Sequence, residues 1–280
     1  MRKTLMIILV ALVAILAACG NSNNDTNTEN TTNNKNEASE AQTLKVAAVE
    51  SPMTDVVEIA KELLAEDNIT VEVVEMGDYI QPNEALENKE VDATFSQHVP
   101  FMKQFNENTG ASLKEVQAIY YANFGLYADG YDDIADLPDD VTIGIANDPS
   151  NIDRSLRLLA SHDLIELDEI DEGNYYGLED IVEGSSNYKF EQAGIASLSR
   201  LYDDVDAVIM NPTHASHLEL TPADDALVTE KEDNLFAITL VAREDNADSD
   251  LIKKLSEAMT SEDVREFLES REGESAVPAF

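Results

Sequence analysis

From Thr43 onward, short runs rich in β-branched residues alternate with segments whose apolar residues recur at helical spacing. Residues 43–49 form the first such run. Val56, Ile59 and Leu63 then lie on one face of a predicted helix, and further strands follow. Strand, helix and strand in this order predict a parallel or mixed sheet with helices on its faces.

The pattern contains two similar units, which are joined by extended segments around residues 122–126 and 233–240. We therefore predict an α/β fold with two lobes and two crossing hinge strands. Lobe 1 comprises residues 43–121 together with the C-terminal residues 241–280, and lobe 2 comprises residues 122–240 with the hinge strands. In such folds a ligand binds in the crevice at the carboxyl ends of the strands.

The N-terminus has the pattern of a secretory signal. Two basic residues precede an apolar run at residues 5–16, which is too short for an ordinary membrane span. The run ends in L-A-A-C-G at residues 16–20, which resembles a bacterial lipobox. This resemblance implies a signal peptide at residues 1–18 and lipidation of Cys19. The other interpretation, an uncleaved anchor with a chance cysteine, is weaker because Cys19 is the only cysteine.

Residues 19–42 follow as the lipidated cysteine and a linker of Asn, Thr, Ser and acidic residues. With almost nothing apolar to bury, this segment is predicted to be a disordered tether. We expect it to hold the folded part at the extracytoplasmic face of the cell membrane.

Acidic residues dominate the charge, with 57 Asp and Glu against 18 Lys and Arg. Removal of residues 1–18 takes away two basic residues and no acid, so the mature chain has a charge of 16 − 57 = −41. Such a surface disfavours nucleic acid and anionic membranes as partners. It is typical of proteins from salt-loving organisms, and we expect added salt to stabilise the fold.

Residues 141–154 (V-T-I-G-I-A-N-D-P-S-N-I-D-R) indicate a strand, a polar turn and the start of a helix. A helix N-terminus offers unpaired N–H groups to an anion, and Arg154 would add a planar fork that suits a carboxylate. The alternative for Arg154 is a surface pair with Asp153 or Asp148.

Further polar and aromatic residues fall at the ends of predicted strands. For Tyr79 and Phe95, core packing and a ligand-facing position are both open, and His98 could instead bond to its own loop. The candidate ligand-binding residues are Tyr79, Phe95, His98, Asn147, Asn151, Arg154 and Asn211.

His214 and His217 are three residues apart and could share a metal ion, which would make the chain a metal-dependent lipoprotein enzyme. A solvent-facing helix is the favoured interpretation, because no third ligand has a recognisable spacing. Motifs of nucleophilic or phosphate chemistry do not occur in the sequence. We therefore expect a binding protein without catalysis, cofactor or metal ligands. A surface adhesin with a vestigial cleft is a third and weaker interpretation.

Several motifs in fixed order resemble the NlpA-type lipoproteins, which are the substrate-binding components of methionine ABC importers. The resemblance covers nearly all of residues 43–280 and implies a two-lobed periplasmic-binding-protein fold. It also implies delivery of the ligand to a membrane permease with its ATPase. The matching motifs are Asp78-Tyr79, Pro82-Asn83-Glu84-Ala85-Leu86, Phe95 with Gln97-His98, Gly125-Leu126-Tyr127, Asn147-Asp148-Pro149-Ser150-Asn151 with Arg154, Val208-Ile209 with Asn211, and Val277-Pro278-Ala279-Phe280.

The resemblance also implies individual roles for the candidate residues. Arg154 would hold an amino-acid carboxylate, and Asn211 would fix the polar end of the ligand. Asn151 and His98 match polar pocket positions, whereas Tyr79 and Phe95 match aromatic positions that receive a thioether. The implied ligand is methionine, a closely related amino acid or a short methionine-containing peptide.

Overall fold

A computed structural model describes residues 42–231, 233–271 and 276–280. The predicted signal peptide, Cys19 and nearly all of the predicted tether lie outside these residues. Gln42, which the sequence assigned to the tether, is already the first residue of a strand. Among the described residues there is no helix of the length and apolar character needed to cross a membrane.

Eleven strands occur in the described part of the chain. They are β1 (Gln42–Ala48), β2 (Ile69–Glu75), β3 (Ala93–His98), β4 (Leu113–Tyr121), β5 (Gly125–Tyr127), β6 (Thr142–Ala146), β7 (Lys189–Ala193), β8 (Ala207–Met210), β9 (Val228–Thr229), β10 (Ile238–Arg243) and β11 (Val277–Pro278).

Nine α-helices are found in the same described ranges. They are α1 (Met53–Ala65), α2 (Gln81–Glu87), α3 (Val99–Thr109), α4 (Pro149–Ser161), α5 (Leu198–Leu201), α6 (Pro212–Ser216), α7 (Pro222–Asp225), α8 (Asp250–Met259) and α9 (Glu262–Glu269). Short 3₁₀ turns occur at Ile134–Asp136, Leu178–Asp180, Ile195–Ser197 and Asn234–Phe236.

The strands form two mixed sheets. Sheet 1 has the order β11-β4-β10-β3-β1-β2, in which β1 pairs in parallel with β2 and β3, and β10 runs antiparallel to β3 and β4. Sheet 2 has the order β7-β6-β8-β5-β9, in which β6 pairs in parallel with β7 and β8. We call sheet 1 with α1, α2, α3, α8 and α9 lobe 1, and sheet 2 with α4, α5, α6 and α7 lobe 2. The predicted two-lobed α/β fold is confirmed.

The chain crosses between the sheets twice. Residues 122–124 connect β4 to β5, and residues 230–237, of which 232 is outside the described set, connect β9 to β10. The predicted boundary at residue 240 was wrong by a few residues, because β10 begins at Ile238 and pairs with β3 and β4 of lobe 1.

Helices and the other lobe cover both faces of each sheet at its centre, so the central strands are buried almost throughout. All four residues of β8 are buried, as are the first five of β10. In lobe 1 the C-terminal helices close one face of the sheet, with Ile252, Leu255 and Leu268 buried in the same cluster as residues of α1. The C-terminal helices therefore pack on lobe 1. The carboxyl ends of β3, β6 and β8 are left to face the space between the lobes.

Candidate functional site: a cleft between the lobes

A cleft lies between the lobes, with about 380 Å³ of empty space that includes its open mouth. Residues of both lobes and of the first crossing segment line it, so its shape depends on how the lobes meet. The lining residues are Tyr79, Ser96, Gln97, His98, Phe101, Ala122, Phe124, Asn151, Arg154, Ile195, Asn211 and Ile238. Five of the seven predicted ligand-binding residues are among them.

Helix α4 begins where the strand-turn-helix pattern predicted, and Asp148 caps its N-terminus. Its carboxylate caps the helix by accepting from the Asn151 backbone N–H at 3.0 Å and from the Asn151 side-chain amide at 2.8 Å. The Ser150 hydroxyl donates to the same carboxylate at 2.7 Å. This capping orients the Asn151 side chain so that its oxygen points towards lobe 1.

Arg154 lies one turn further along α4 and is only 2% exposed. Its Nε and Nη2 donate to the two carboxylate oxygens of Glu230 at 2.7 and 2.6 Å, and Nη2 also donates to the Ala122 carbonyl at 2.7 Å. The guanidinium stacks on the Phe124 ring at 3.9 Å and on Phe236 at 4.9 Å. Residues of both crossing segments thus hold the arginine in one orientation.

The alternative pairing for Arg154 was wrong on both partners. Asp153 accepts from Arg157 at 2.9 Å and from the Tyr176 backbone N–H at 2.9 Å, while Asp148 is the cap of α4. The actual partner, Glu230, is 76 residues away in sequence. Arg154 therefore forms its ion pair with Glu230. Its Nη1 has no hydrogen-bond partner among the residues that the structure describes.

His98 ends β3 and caps α3. Its Nδ1 accepts from the Phe101 backbone N–H at 3.2 Å, and its Nε2 lies 3.0 Å from the Asn151 Oδ1 in lobe 2. His98 bonds to its own loop and also lines the cleft, and its contact with a ligand stays a prediction. Burial, and then the charge of Arg154, lower its pKa to about 3, so the ring is neutral at neutral pH.

Tyr79 and Asn211 meet on the other side of the cleft. The Tyr79 hydroxyl donates to Glu50 Oε1 at 3.0 Å, and burial followed by the Glu50 charge raises its pKa well above 10.0. Asn211 follows β8 and caps α6 through its Oδ1, which accepts from the His214 backbone N–H at 2.8 Å. Its side chain lies near the Tyr79 oxygen and lowers the pKa of that hydroxyl, against the larger effects of burial and Glu50.

Two candidates are placed elsewhere. Phe95 is fully buried in the core of lobe 1, where it meets Tyr120 edge-on at 5.9 Å, so its assignment to the pocket was wrong. Asn147 is exposed and lines a neighbouring surface depression with Asp148 and Phe101 rather than the enclosed cleft. It stands at the edge of the cleft, not in it.

The sequence did not predict the apolar residues that form one wall of the cleft. Phe101, Phe124, Ile195 and Ile238 lie in four different segments, so no local pattern joins them. The only available signals were the proximity of Phe101 to His98 and of Phe124 to the predicted crossing. Gln97, which the sequence placed at a strand end but not among the ligand-binding residues, forms a buried reciprocal amide pair with Asn83, whose Nδ2 donates to Gln97 Oε1 at 2.7 Å.

The solvent-facing interpretation of the histidine pair was wrong for His214, which is 2% exposed, whereas His217 is 53% exposed. His214 packs edge-on against Tyr79 at 5.9 Å and lies beside Glu50 of lobe 1. A third potential ligand is thus present in space, although the sequence spacing did not reveal it.

The cleft can bind a small molecule with one anionic group and one apolar part. A buried arginine with a free N–H edge suits a carboxylate, and neutral His98, Asn151 and Asn211 supply oriented dipoles. The rings and aliphatic side chains of the wall suit a flexible apolar group.

Comparison with known proteins agrees with this picture. The model of the NlpA lipoprotein family matches residues 44–280. The methionine-binding lipoprotein MetQ of Bacillus subtilis (strain 168) is 32% identical over 237 residues, which are 83% of this chain and 86% of the relative. These values are high enough to compare the two proteins over the whole of both lobes.

Two solved structures share the fold. A nutrient binding protein from Burkholderia cenocepacia bound to methionine has a TM-score of 0.80 at 30% identity, covering 85% of this chain and 100% of that one. A periplasmic substrate-binding protein of an ABC transporter from Coxiella burnetii has a TM-score of 0.78 at 30% identity, covering 84% and 100%.

Proposed function

This chain belongs to the NlpA lipoprotein family, and we propose that it is the lipid-anchored substrate-binding component of an ABC importer that carries methionine. The relatives named above support the proposal, since one binds methionine and another serves an ABC transporter. In this role the chain binds and delivers a ligand and performs no reaction.

The observation that carries the proposal is the position of Arg154 in the cleft. Its guanidinium is buried and fixed by Glu230 and two rings, and Nη1 is left without a partner among the described residues. An amino-acid carboxylate is a small anion that can accept from this edge. Asn151 and Asn211, on either side, would bond to the remaining polar groups of the ligand.

The methionine side chain would lie against Phe101, Phe124 and the two isoleucines of the wall. A thioether is flexible and polarisable and packs well on aromatic rings. The enclosed part of the cleft is small, about 30 Å³, so a ligand would enter with the lobes open. A cleft this narrow favours a single amino acid over a methionine-containing peptide.

Delivery requires that the lobes open and close around the two crossing segments. Bound ligand would stabilise the closed form, which the permease and its ATPase would then recognise. Lipid on Cys19 would keep the protein at the extracytoplasmic face of the cell membrane, and residues 20–41 would give it reach.

Isothermal titration calorimetry with L-methionine tests the proposal. Arg154→Ala alone would leave Glu230 buried without its partner, so we choose the double variant Arg154→Gln/Glu230→Gln, which removes both charges and keeps a polar amide at each position. We expect micromolar or tighter binding by the wild type and at least 100-fold weaker binding by the double variant. Asn211→Ala is expected to weaken binding at least tenfold.

The matched control is Arg157→Ala. Arg157 is on the same helix, one turn from Arg154, but it pairs with Asp153 and stacks on Tyr176 outside the cleft. The affinity of the Arg157→Ala variant for methionine should equal that of the wild type. Equal affinities in all variants, with native circular dichroism spectra, would disprove the assignment of the site.

A thermal-shift panel identifies the ligand class, because a ligand that binds only the folded state raises its melting temperature. We expect the largest shift with methionine, smaller shifts with leucine and norleucine, and less with methionine dipeptides. No shift with any amino acid would contradict the proposed function and support the adhesin alternative.

A further inference from the structure

Three potential metal ligands meet between the lobes, beside the cleft. Glu50 follows β1 in lobe 1, while His214 and His217 belong to α6 and its C-terminal end in lobe 2. One ligand atom of each residue lies within 4.8 Å of those of the other two.

The spacing of these atoms suits a transition-metal ion. Glu50 Oε2 lies 3.1 Å from His217 Nε2, and Glu50 Oε1 lies 3.8 Å from His214 Nδ1. Two atoms that each bind tetrahedral Zn²⁺ at ~2.0–2.1 Å are about 3.3 Å apart. The observed distances lie on either side of this value but involve different oxygens of Glu50, so the side chains would rotate to bring one ligand atom of each residue around a single ion.

His214 provides an independent indication of a ligand. Its ring is buried, yet neither of its nitrogens has a hydrogen-bond partner among the described residues, since the Nδ1 to Glu50 separation of 3.8 Å is too long. An unpaired buried polar group destabilises a fold, so such a group in a native structure calls for an explanation, such as a bound ion. A metal ion bound to one nitrogen would satisfy the ring.

The surroundings favour a bound cation in two further ways. The Tyr79 hydroxyl donates to Glu50 Oε1 at 3.0 Å and so orients the carboxylate, as outer partners of metal ligands commonly do. His217 is half exposed and gives an ion access from solvent.

We propose that Glu50, His214 and His217 bind one divalent transition-metal ion of the Zn²⁺ class. Two imidazoles and one carboxylate form a mixed nitrogen and oxygen set that suits Zn²⁺ better than Mg²⁺ or Ca²⁺, which prefer oxygen ligands. Because the carboxylate comes from lobe 1 and both imidazoles come from lobe 2, the ion holds the lobes together. It stabilises the closed form and has no part in catalysis.

The first experiment is a calorimetric titration of the chelator-treated full chain with ZnCl₂, without amino acid and with millimolar Mg²⁺ present to occupy weak carboxylate sites on the acidic surface. We expect one equivalent of Zn²⁺ to bind tightly to each chain. Glu50→Gln and His217→Ala should each weaken it at least tenfold, and because His217 is half exposed, its variant should fold even if a His214 variant does not.

His162→Ala is the matched control. His162 lies in lobe 2, bonds to the Thr229 carbonyl at 2.9 Å and is not part of the cluster. This variant should bind zinc like the wild type. The proposal is overturned if the wild type shows no tight equivalent, or if Glu50→Gln and His217→Ala bind as tightly as the His162 variant.

A second titration tests the bridge between the lobes and rests on the proposed function. If methionine and zinc both favour the closed form, saturating methionine must tighten zinc binding, and zinc must tighten methionine binding by the same factor. Equal zinc affinity with and without bound methionine would refute the bridge. If methionine does not bind at all, the proposed function fails, while the zinc titration still decides the metal site.

Discussion

The Nε2 of His98 in lobe 1 lies 3.0 Å from the Oδ1 of Asn151 in lobe 2, at the centre of the cleft. The direction of this hydrogen bond follows from the surroundings. Because His98 Nδ1 accepts from the Phe101 backbone N–H, the ring proton is on Nε2 and is donated to Asn151. The Asn151 amide group is in turn directed to Asp148, so the oxygen must face the histidine.

Asn151→Ala should therefore destabilise the folded protein by about 1–3 kcal/mol, because it leaves a buried donor on His98 without an acceptor. Urea unfolding followed by circular dichroism gives the free energy. Asn108→Ala is the control, since Asn108 is exposed on α3 and should change stability by less than ~0.5 kcal/mol. Equal effects of the two substitutions would mean that the bond between the lobes adds nothing to stability.

Mild acid should destabilise the protein through His98. The pKa is about 3 in the folded state and near 6.5 when the chain is unfolded, so the unfolded state binds the proton more readily. This contribution to stability is complete above pH 6.5 and is lost as pH falls towards 3. At pH 5 the loss is about 2 kcal/mol, at about 1.36 kcal/mol for each pKa unit.

His98→Asn isolates this contribution. The asparagine oxygen can still cap α3, but it does not titrate. We expect the fall in unfolding free energy from pH 7 to pH 5 to be about 2 kcal/mol smaller in this variant than in the wild type. His214 acts in the same direction in both proteins and cancels in the difference. Identical pH profiles would contradict a neutral, buried His98.

The sequence predicted the two lobes well because each local pattern agreed with its place in the sheets. Strand ends also proved good indicators of the cleft, since parallel strands bring their carboxyl ends to one edge. Thus His98, at the end of β3, and Asn211, after β8, both reached the cleft although 113 residues separate them in sequence.

The wrong predictions share one physical cause. The residues concerned are placed by contacts with residues far away in the sequence. All six residues of β3 are buried, so no alternation distinguished the core-facing Phe95 from the cleft-facing Ser96. Glu230 lies beside Arg154 only in the folded protein, and the same is true of Glu50 and His214. Local spacing cannot reveal such pairs. Lipidation of Cys19 stays a prediction.

Glu230 should be important for stability because its partner is a buried arginine. Glu230→Ala removes two charge-assisted hydrogen bonds to Arg154 and the acceptor of the Phe124 backbone N–H at 2.7 Å. The guanidinium would remain buried and uncompensated, so we expect a loss of about 3–5 kcal/mol in unfolding free energy.

An exposed ion pair provides the control for this loss. Glu58 and Lys61 pair at 2.7 Å on α1 with side chains 50% and 44% exposed, so Glu58→Ala should cost less than about 1 kcal/mol. Chemical denaturation of both variants in the same buffer makes the comparison. A loss below 1 kcal/mol for Glu230→Ala would mean that Arg154 finds another partner or becomes hydrated.

Salt should stabilise the fold as a whole. With 57 acidic against 18 basic residues, most carboxylates on the surface have no partner and repel one another. Screening shortens the reach of this repulsion from ~10 Å at 0.1 M to ~3 Å at 1 M salt, and it acts on the compact folded state more than on the expanded unfolded chain. The melting temperature should therefore rise steadily from low to molar NaCl.

Buried pairs such as Arg154 with Glu230 are screened much less and should not offset the gain. A melting temperature that falls over this range would show that attractive ion pairs, rather than repulsion, dominate the surface.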